Sequence, residues 1–470
     1  MKIFLVYLGI NSPQNTGYNY GLSYIGAVLK KAGFNVKYYT LLNEQDCNNM
    51  FSDIENESPF LIGFSVTSSQ FIYLKEIVGL IKEFSESFIV CGGPHPTLVP
   101  DSISDIPGVN AYIIGEGEYS LLELANALNN NKDYKQIKNI WINKNGRIIK
   151  NEIRPLQENL DTLPFPDIES IKPVEMRGTN SSDYHIRFNF SRGCPFDCSY
   201  CCNKAISQVY PNPQKYFRQR SPDSAIKEIE LAEKKYHFNY IVFDDDCFTL
   251  NKKWFREFIS LYKLQFKYPF RCNIRVGTAD DEVMQLLKEA GATNIGVGIE
   301  HGNEKFRINV LKKNITNKQI EETFALIRKY NISHYDFIMV GIPYETKALF
   351  RDTVRLCRKV NARGSASIFY PYPGTELGKM CKENNWLPDK EVYREREEAT
   401  ISYPEFTKEE IQAAARAFPY LLANKSIPLY IPFEIVPHWF QLQVALKSIK
   451  QYYLKKLKFY SPVNNPQTIT

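Results

Sequence analysis

Three cysteines crowd into Ser191-Arg192-Gly193-Cys194-Pro195-Phe196-Asp197-Cys198-Ser199-Tyr200-Cys201, spaced Cys-x3-Cys-x2-Cys. Thiolates are soft ligands, and three so close along a chain suit one metal centre. A zinc site needs four ligands, usually two separated pairs. Cys202 could be the fourth, but adjacent residues rarely chelate one metal together, and it reads better as a packed thiol. A cubane cluster has four irons and is usually held by four thiolates. Three protein ligands would leave one iron open to bind a small molecule directly. The remaining cysteines are scattered, with no evenly spaced disulfide framework. That favours a metal site in a reducing cytoplasm.

The segment resembles the radical S-adenosylmethionine superfamily in this spacing, in Tyr200 before the third cysteine and in Arg192-Gly193 before the first. The resemblance implies that Cys194, Cys198 and Cys201 hold a [4Fe-4S] cluster whose open iron chelates the amino and carboxyl groups of S-adenosylmethionine. One electron, from an external reductant such as flavodoxin or ferredoxin, then breaks the C–S bond and releases a 5′-deoxyadenosyl radical. The cofactor carries that chemistry while the protein positions it.

The same resemblance marks further contacts to S-adenosylmethionine. Tyr200 is one. Phe243-Asp244-Asp245-Asp246 ends a strand, and Asp244 and Asp245 are candidates to accept hydrogen bonds from the ammonium group. The family's usual Gly-Gly-Glu is absent there, and a solvated acidic turn is the competing reading. Arg275 is a candidate partner for the methionine carboxylate or a ribose hydroxyl, against a plain surface salt bridge. Gly296-Val297-Gly298-Ile299-Glu300 resembles the family's Gly-Ile-Glu segment, with Glu300 as a polar contact and the glycines permitting close backbone approach. Gly341–Thr346 and Tyr370–Thr375 resemble turns beside the adenosine pocket and receive no catalytic role.

Three loops near the N-terminus also suit a ligand: Ile62-Gly63-Phe64-Ser65-Val66-Thr67-Ser68, Cys91-Gly92-Gly93-Pro94-His95-Pro96-Thr97 and Gly115-Glu116-Gly117-Glu118. Together they resemble the cobalamin-binding domain joined to many radical S-adenosylmethionine enzymes. The resemblance makes Ser65, Thr67, Ser68, Gly92, Gly93, Gly115 and Glu116 the cobalamin candidates. Better-known cobalamin modules supply a histidine from an Asp-x-His-x-x-Gly loop after the first strand. Here that loop reads Gly9-Ile10-Asn11-Ser12-Pro13, and none of the six histidines stands in such a context. No histidine on cobalt is therefore expected, and His95 reads as a loop residue. A Rossmann-like domain that has lost its cofactor, or binds only substrate, is the alternative.

The elements that must position these residues alternate strand with helix. Lys2–Leu8, 36–39, 60–65, 88–91 and 111–114 are short apolar runs, and Tyr20–Lys31, 70–84 and 118–129 have helical spacing. This predicts a parallel, doubly wound, flavodoxin-like (Rossmann-like) α/β domain over 1–135, with ligands at the carboxyl ends of its strands. A linker over 136–178 holds a hairpin turned at Asn145-Gly146 and four prolines, at 155, 164, 166 and 173. Over 179–380, strands at 185–190, 240–244, 271–275, 294–298, 335–340 and 366–370 alternate with helices at 222–236, 252–264, 281–290, 317–330 and 347–360. Six units are too few for an eight-fold barrel, so a partial (β/α)6 barrel is expected, with its chemistry at the C-terminal strand ends. Residues 381–470 read as a small helical region. Its aromatic and lysine-rich stretch at 427–460 suits packing on the barrel better than contact with an anionic membrane surface, because Pro428, Pro432 and Pro437 interrupt it.

Composition excludes little beyond extremes. The 470 residues are 44% hydrophobic and 23% charged, an ordinary globular balance, and the net charge of +6 does not argue for nucleic acid. No apolar stretch has membrane-spanning length, and the N-terminus reads as a first strand rather than a signal peptide, so a cytoplasmic protein is expected. The leading expectation is a cobalamin-dependent enzyme that methylates an unactivated carbon of a small-molecule substrate. The alternatives are a radical cyclase or rearrangement enzyme like the anaerobic tetrapyrrole cyclases, and a non-catalytic cobalamin or redox sensor. Transfer-RNA methylthiolation would need three further cysteines in the first domain, which holds only Cys47 and Cys91.

Overall fold

Successive apolar residues of one strand point to opposite faces of a sheet and must find cover on both, and the first 150 residues solve this with helices on each side. A computed structural model describes residues 1–10, 19–144, 147–175, 184–387, 395–438 and 441. Strands β1 (Lys2–Leu8), β2 (Asn35–Leu41), β3 (Leu61–Ser65), β4 (Phe88–Gly92), β5 (Ala111–Ile113), β6 (Ile140–Lys144) and β7 (Arg147–Ile149) form one sheet in the order β2-β1-β3-β4-β5-β6-β7. The first five are parallel. Helices α1 (Tyr20–Lys31), α2 (Glu44–Glu57), α3 (Phe71–Phe84), α4 (Pro94–Leu98) and α5 (Glu118–Asn129) follow the strands. Ile3 and Leu5 of β1 pack with Leu22 and Leu29 of α1 and Leu124 of α5. Phe4 and Val6, pointing the other way, pack with Met50 and Ile54 of α2 and Leu74 of α3.

Two features depart from the sequence expectation. Helix α2 was not anticipated, because its buried stripe is only Cys47, Met50 and Ile54 in a run of polar residues. The hairpin of β6 and β7 does not stand in a linker but extends the first sheet, with β6 antiparallel to β5. Its turn residues Asn145-Gly146 lie outside the described residues, as do Asn11, Ser12 and Pro13.

The second sheet contains β8 (Val174–Glu175) and β9 (Tyr184–Phe188). A short ribbon, β10 (Ser191–Arg192) with β11 (Arg218–Gln219), stands apart from it. Strands β12 (Tyr240–Phe243), β13 (Phe270–Ile274), β14 (Ala292–Glu300), β15 (Ser333–Val340) and β16 (Ala366–Ile368) complete the order β16-β15-β14-β13-β12-β9-β8. Six strands run parallel and the edge strand β8 is antiparallel to β9. The edges β16 and β8 are not neighbours, so the barrel is open. Between and after these strands lie α6 (Cys202–Ser207), α7 (Pro222–Lys235), α8 (Lys252–Gln265), α9 (Asp281–Glu289), α10 (Glu304–Asn309), α11 (Asn317–Lys329), α12 (Lys347–Val360), α13 (Glu376–Glu383) and α14 (Lys408–Ala423). Apart from α6, their buried stripes join the sheet in one continuous core.

Helix α14 brings Ile411, Ala414, Phe418 and Leu421 into that core, and Phe433 and Val436 beyond it are also buried. The C-terminal region therefore packs on the barrel as far as the described residues extend. The lysines at 447, 450, 455, 456 and 458 lie outside them. Among the described residues no helix is long and apolar enough to cross a membrane.

Candidate functional site between the two sheets

The cysteine loop leaves β9 through Asn189-Phe190 and is braced by the β10–β11 ribbon. Gly193 sits at φ +76°, and a Cβ there would stand 2.5 Å from the Tyr216 carbonyl oxygen, so the residue before Cys194 has to be glycine. Ser199 pins the loop to the segment after α10, its amide and hydroxyl donating to the carbonyls of Leu311 and Val310. Cys198 is buried, while Cys194 and Cys201 are partly exposed. Burial pushes the Cys194 thiol up to about 12 and the Cys201 thiol up to about 11, with Asp246 and the neighbouring cysteines adding to the rise. Three thiolates side by side beside a carboxylate need a strong positive centre, and an iron–sulfur cluster supplies one. The donor set thus fits the group the sequence implied. Among the described residues no three His, Cys, Asp or Glu side chains converge tightly enough to ligate a single metal ion. Cys202 caps the loop as the first residue of α6.

The three aspartates after β12 diverge. Arg187 donates to both carboxylate oxygens of Asp244, and the Tyr20 hydroxyl approaches at 3.3 Å. Asp245 is fully buried, where it accepts from the Ser191 hydroxyl and, at 3.4 Å, from the Phe190 amide. Burial pushes its carboxyl up to about 6. Asp246 accepts from Asn203 Nδ2 at 2.8 Å and lines both cavities described below. Asp244 and Asp245, the expected pair, therefore brace the barrel and the cysteine loop, and of the three only Asp246 lines the cavities. Nothing in a run of three identical residues distinguishes them.

Arg275 sits over the Phe196 ring, its guanidinium carbon 3.7 Å from the centroid, with Nη1 3.9 Å from Cys198 Sγ. It guards a cysteine rather than a cavity. Glu300 ends β14 at φ +63°, buried, accepting from Lys313 Nζ at 2.9 Å. Tyr200 stands beside it, its hydroxyl pKa raised by burial and by the Glu300 charge. Both line the second cavity.

A first cavity of about 480 Å³ opens between the two sheets. Its floor is the carboxyl ends of β3, β4 and β5, and its roof is the ribbon and α6. Ser65, Gly92, Gly93, Gly115 and Glu116 line it, and Ser65 is held by a hydrogen bond from Asn19. Gly93 has φ +104°, and a Cβ there would meet the Val66 amide and carbonyl at 2.9 Å. An apolar shaft of Leu5, Ile25, Val90, Ile113 and Leu121 descends between the sheet and α1 and α5. A glycine-lined rim over an apolar shaft fits a large flat cofactor with an apolar appendage, as cobalamin is. Glu116 is not free to meet one. Burial alone would raise its pKa, but Arg192 and Arg218 reverse this and hold it below the usual carboxylate range. Its Oε1 stands 2.9 Å from Arg192 Nη1 and 2.9 Å from Arg218 Nη2. Arg192 also bonds Glu118 at 2.6 Å. Arg192 stood out in the sequence only as part of the cysteine motif and Arg218 not at all, since each partner lies more than 70 residues away.

A second cavity, of about 520 Å³, lies on the other side of α6, at the ends of β14, β15 and β16. Thr67 and Ser68, expected with the first cavity, line this one instead, and Pro94, Asn203, Ile206 and Asp246 line both. His95 faces neither. It is buried in α4 with Nδ1 3.0 Å from the Ser68 hydroxyl and Nε2 3.1 Å from the Ser102 hydroxyl, and burial pushes its pKa down to about 4. Sequence reasoning missed Phe337 and Arg396 in this wall, which carry no motif, while Tyr372 belongs to the turn expected beside the adenosine pocket.

Comparison with known proteins agrees with this layout. Residues 8–125 match the B12 binding domain, and residues 188–357 match the radical SAM superfamily. An uncharacterized methyltransferase of Pyrococcus horikoshii is 28% identical over 400 residues, covering 82% of this chain and 84% of that protein. An anaerobic magnesium-protoporphyrin IX monomethyl ester cyclase of Rubrivivax gelatinosus is 23% identical over 384 residues, covering 79% and 68%. In fold, the chain is similar to the radical S-adenosylmethionine methyltransferase TsrM of Kitasatospora setae, solved with cobalamin and a [4Fe-4S] cluster. The TM-score is 0.64 at 18% identity, over 82% of this chain and 75% of that one.

Proposed function

Since this chain is a radical S-adenosylmethionine enzyme with a B12 binding domain, we propose that it methylates an unactivated carbon of a small molecule. When bound, the cluster with S-adenosylmethionine supplies an oxidising carbon radical, and cobalamin supplies a transferable methyl group. Cys194, Cys198 and Cys201 would hold the cluster. Gly92, Gly93, Gly115 and Ser65 would back the cobalamin, with Glu116 holding the roof in place through Arg192. Tyr200, Glu300 and Asp246 would meet S-adenosylmethionine, and Asp244, Asp245 and Arg275 would brace the loop that carries the cluster.

The observation that carries this reading is the shared wall. Two cavities meet at Asn203, Ile206 and Asp246, directly beside Cys201, so a methyl donor on one side and a substrate on the other would flank a single loop. The methyltransferase name of the Pyrococcus relative supports it. A reducing compartment and an external one-electron donor such as flavodoxin or ferredoxin complete the proposal.

The cyclase-named relative favours a second reading, radical ring closure without methyl transfer. Mass spectrometry of metabolites from cells with and without the gene would identify the substrate. Anaerobic turnover of that substrate should then yield a product heavier by one methyl group, with both S-adenosylhomocysteine and 5′-deoxyadenosine. Formation of 5′-deoxyadenosine alone, with a product that gains no methyl group, would reject methyl transfer in favour of the cyclase reading.

A further inference from the structure

The second cavity has a composition of its own. Phe337 remains 44% exposed although β15 has a strand on either side, because its side chain lines the second cavity. Tyr370 and Tyr372 present paired rings 5.0 Å apart, and Met339 and Phe369 fill the wall between. Aromatic faces left uncovered in a concave wall are surface for a flat apolar ligand.

In the same wall Lys313 neutralises Glu300, while Asp246 is held by the neutral Asn203 amide and keeps its charge. Glu395 is buried and accepts from the Tyr372 hydroxyl and from the Ser69 hydroxyl of the first domain. Arg396 is the single cation among the described lining residues. It sits at φ +68°, a conformation costly for a side chain as long as arginine and tolerated where the surroundings impose it. Its carbonyl accepts from the Ile368 amide at 2.9 Å, which anchors it to the end of β16. Its Nε and Nη2 both donate to Tyr372 Oη, at 3.2 and 3.1 Å, and Glu395 Oε1 lies 3.3 Å from Nε. One edge of the guanidinium is thus fixed by the protein, while Nη1 has no hydrogen-bond partner among the described residues. A guanidinium held at one edge is preorganised to grip an anion with the other.

We propose that the second cavity takes a ring-bearing, largely apolar substrate that carries an anionic group, and that Arg396 selects that anion. The proposal rests on reading this cavity as the reaction chamber. The carboxylate of S-adenosylmethionine is the other anion available, and the experiment separates the two sources.

Two fluorescent probes share their rings and differ in charge: 8-anilinonaphthalene-1-sulfonate and the neutral N-phenyl-1-naphthylamine. Titrated into the full chain, both should show one saturable site, and Phe337→Ala should weaken both. Arg396→Gln should weaken the sulfonate about tenfold or more, the loss of a charge-assisted bond, and leave the neutral probe within about twofold. Equilibrium dialysis of S-adenosylmethionine against the cluster-loaded protein should give the same affinity for Arg396→Gln as for the parent. Equal weakening of both probes, no saturable site, or a loss of S-adenosylmethionine affinity would each overturn the proposal. None of these readouts depends on whether methyl transfer occurs, so the failure of one reading is distinguishable from failure of the other.

Discussion

Replacing Glu116 with Gln should loosen the cluster loop from the first domain. The Glu116 carboxylate is the junction of Arg192 Nη1 at 2.9 Å and Arg218 Nη2 at 2.9 Å. A pair of unit charges near 3 Å interacts with roughly 5 kcal/mol at an effective dielectric of about 20, before desolvation is subtracted. Arg192 would keep Glu118, whereas the Arg218 side chain, only 6% exposed, would be left facing a neutral amide. Breaking a buried pair by removing one partner costs about 3–5 kcal/mol. The side chain of Glu116 is 20% exposed and Gln keeps one acceptor oxygen, which points to the lower end, about 3 kcal/mol. For a unit of this size that is a fall of roughly 6–12 °C in melting temperature. Arg192 is two residues from Cys194, so cluster content should fall as well. The folded pKa of Glu116 is depressed, so its contribution is fully present above the ordinary glutamate value of 4.5 and is lost as pH falls through the lower folded value. Parent and variant should therefore converge in strong acid. Glu123→Gln, which removes an exposed pair with Arg154, is the control and should cost under about 1 kcal/mol. Anaerobic thermal melts followed by cluster absorbance would measure both. Equal melting of the two variants would refute the clamp.

Four further outcomes are expected. Cys194→Ala, Cys198→Ala or Cys201→Ala should each abolish cluster absorbance and 5′-deoxyadenosine formation in anaerobically reconstituted protein, and Cys202→Ala should keep most of both; the reverse pattern at Cys201 and Cys202 would change the ligand set. The Asp245 carboxyl is raised to about 6, so its own contribution to stability should decline by on the order of 2–3 kcal/mol as pH rises from about 4 to 6, and the stability of Asp245→Asn relative to the parent should rise by that amount over the same range in denaturant titrations. Gly93→Ala should cost at least about 1–2 kcal/mol and abolish retention of hydroxocobalamin on gel filtration, since its φ is +104° and its Cβ would press on Val66 backbone; Gly79→Ala, in α3 with open space around it, should instead be neutral or stabilising. Bound cobalamin should show no nitrogen coordination from the protein, and His95→Ala should leave its absorption spectrum unchanged, because both ring nitrogens already face serines.

The sequence by itself determined what is local. Cys-x3-Cys-x2-Cys is covalent spacing, so the three-cysteine loop was legible before any fold was known. The six barrel strands and five of their helices were legible too, because a buried parallel strand is a short apolar run and a helix over it has an apolar stripe. What the sequence lacked was any record of which faces meet. Asp244, Asp245 and Asp246 are identical letters, and only the turn after β12 sends the first to Arg187, the second under Ser191 and the third to the cavities. Thr67 and Ser68 sit within three residues of Ser65, yet the chain bends there and delivers them to the other cavity. The Glu116 clamp joins partners 76 and 102 positions apart, and Glu395 reaches Ser69 across 326. Such contacts depend on how two separately folded sheets dock, and docking is decided by side-chain shape and buried charge over the whole interface. Periodicity reports only the environment of a residue relative to its own element, so these pairings belong to the tertiary structure alone.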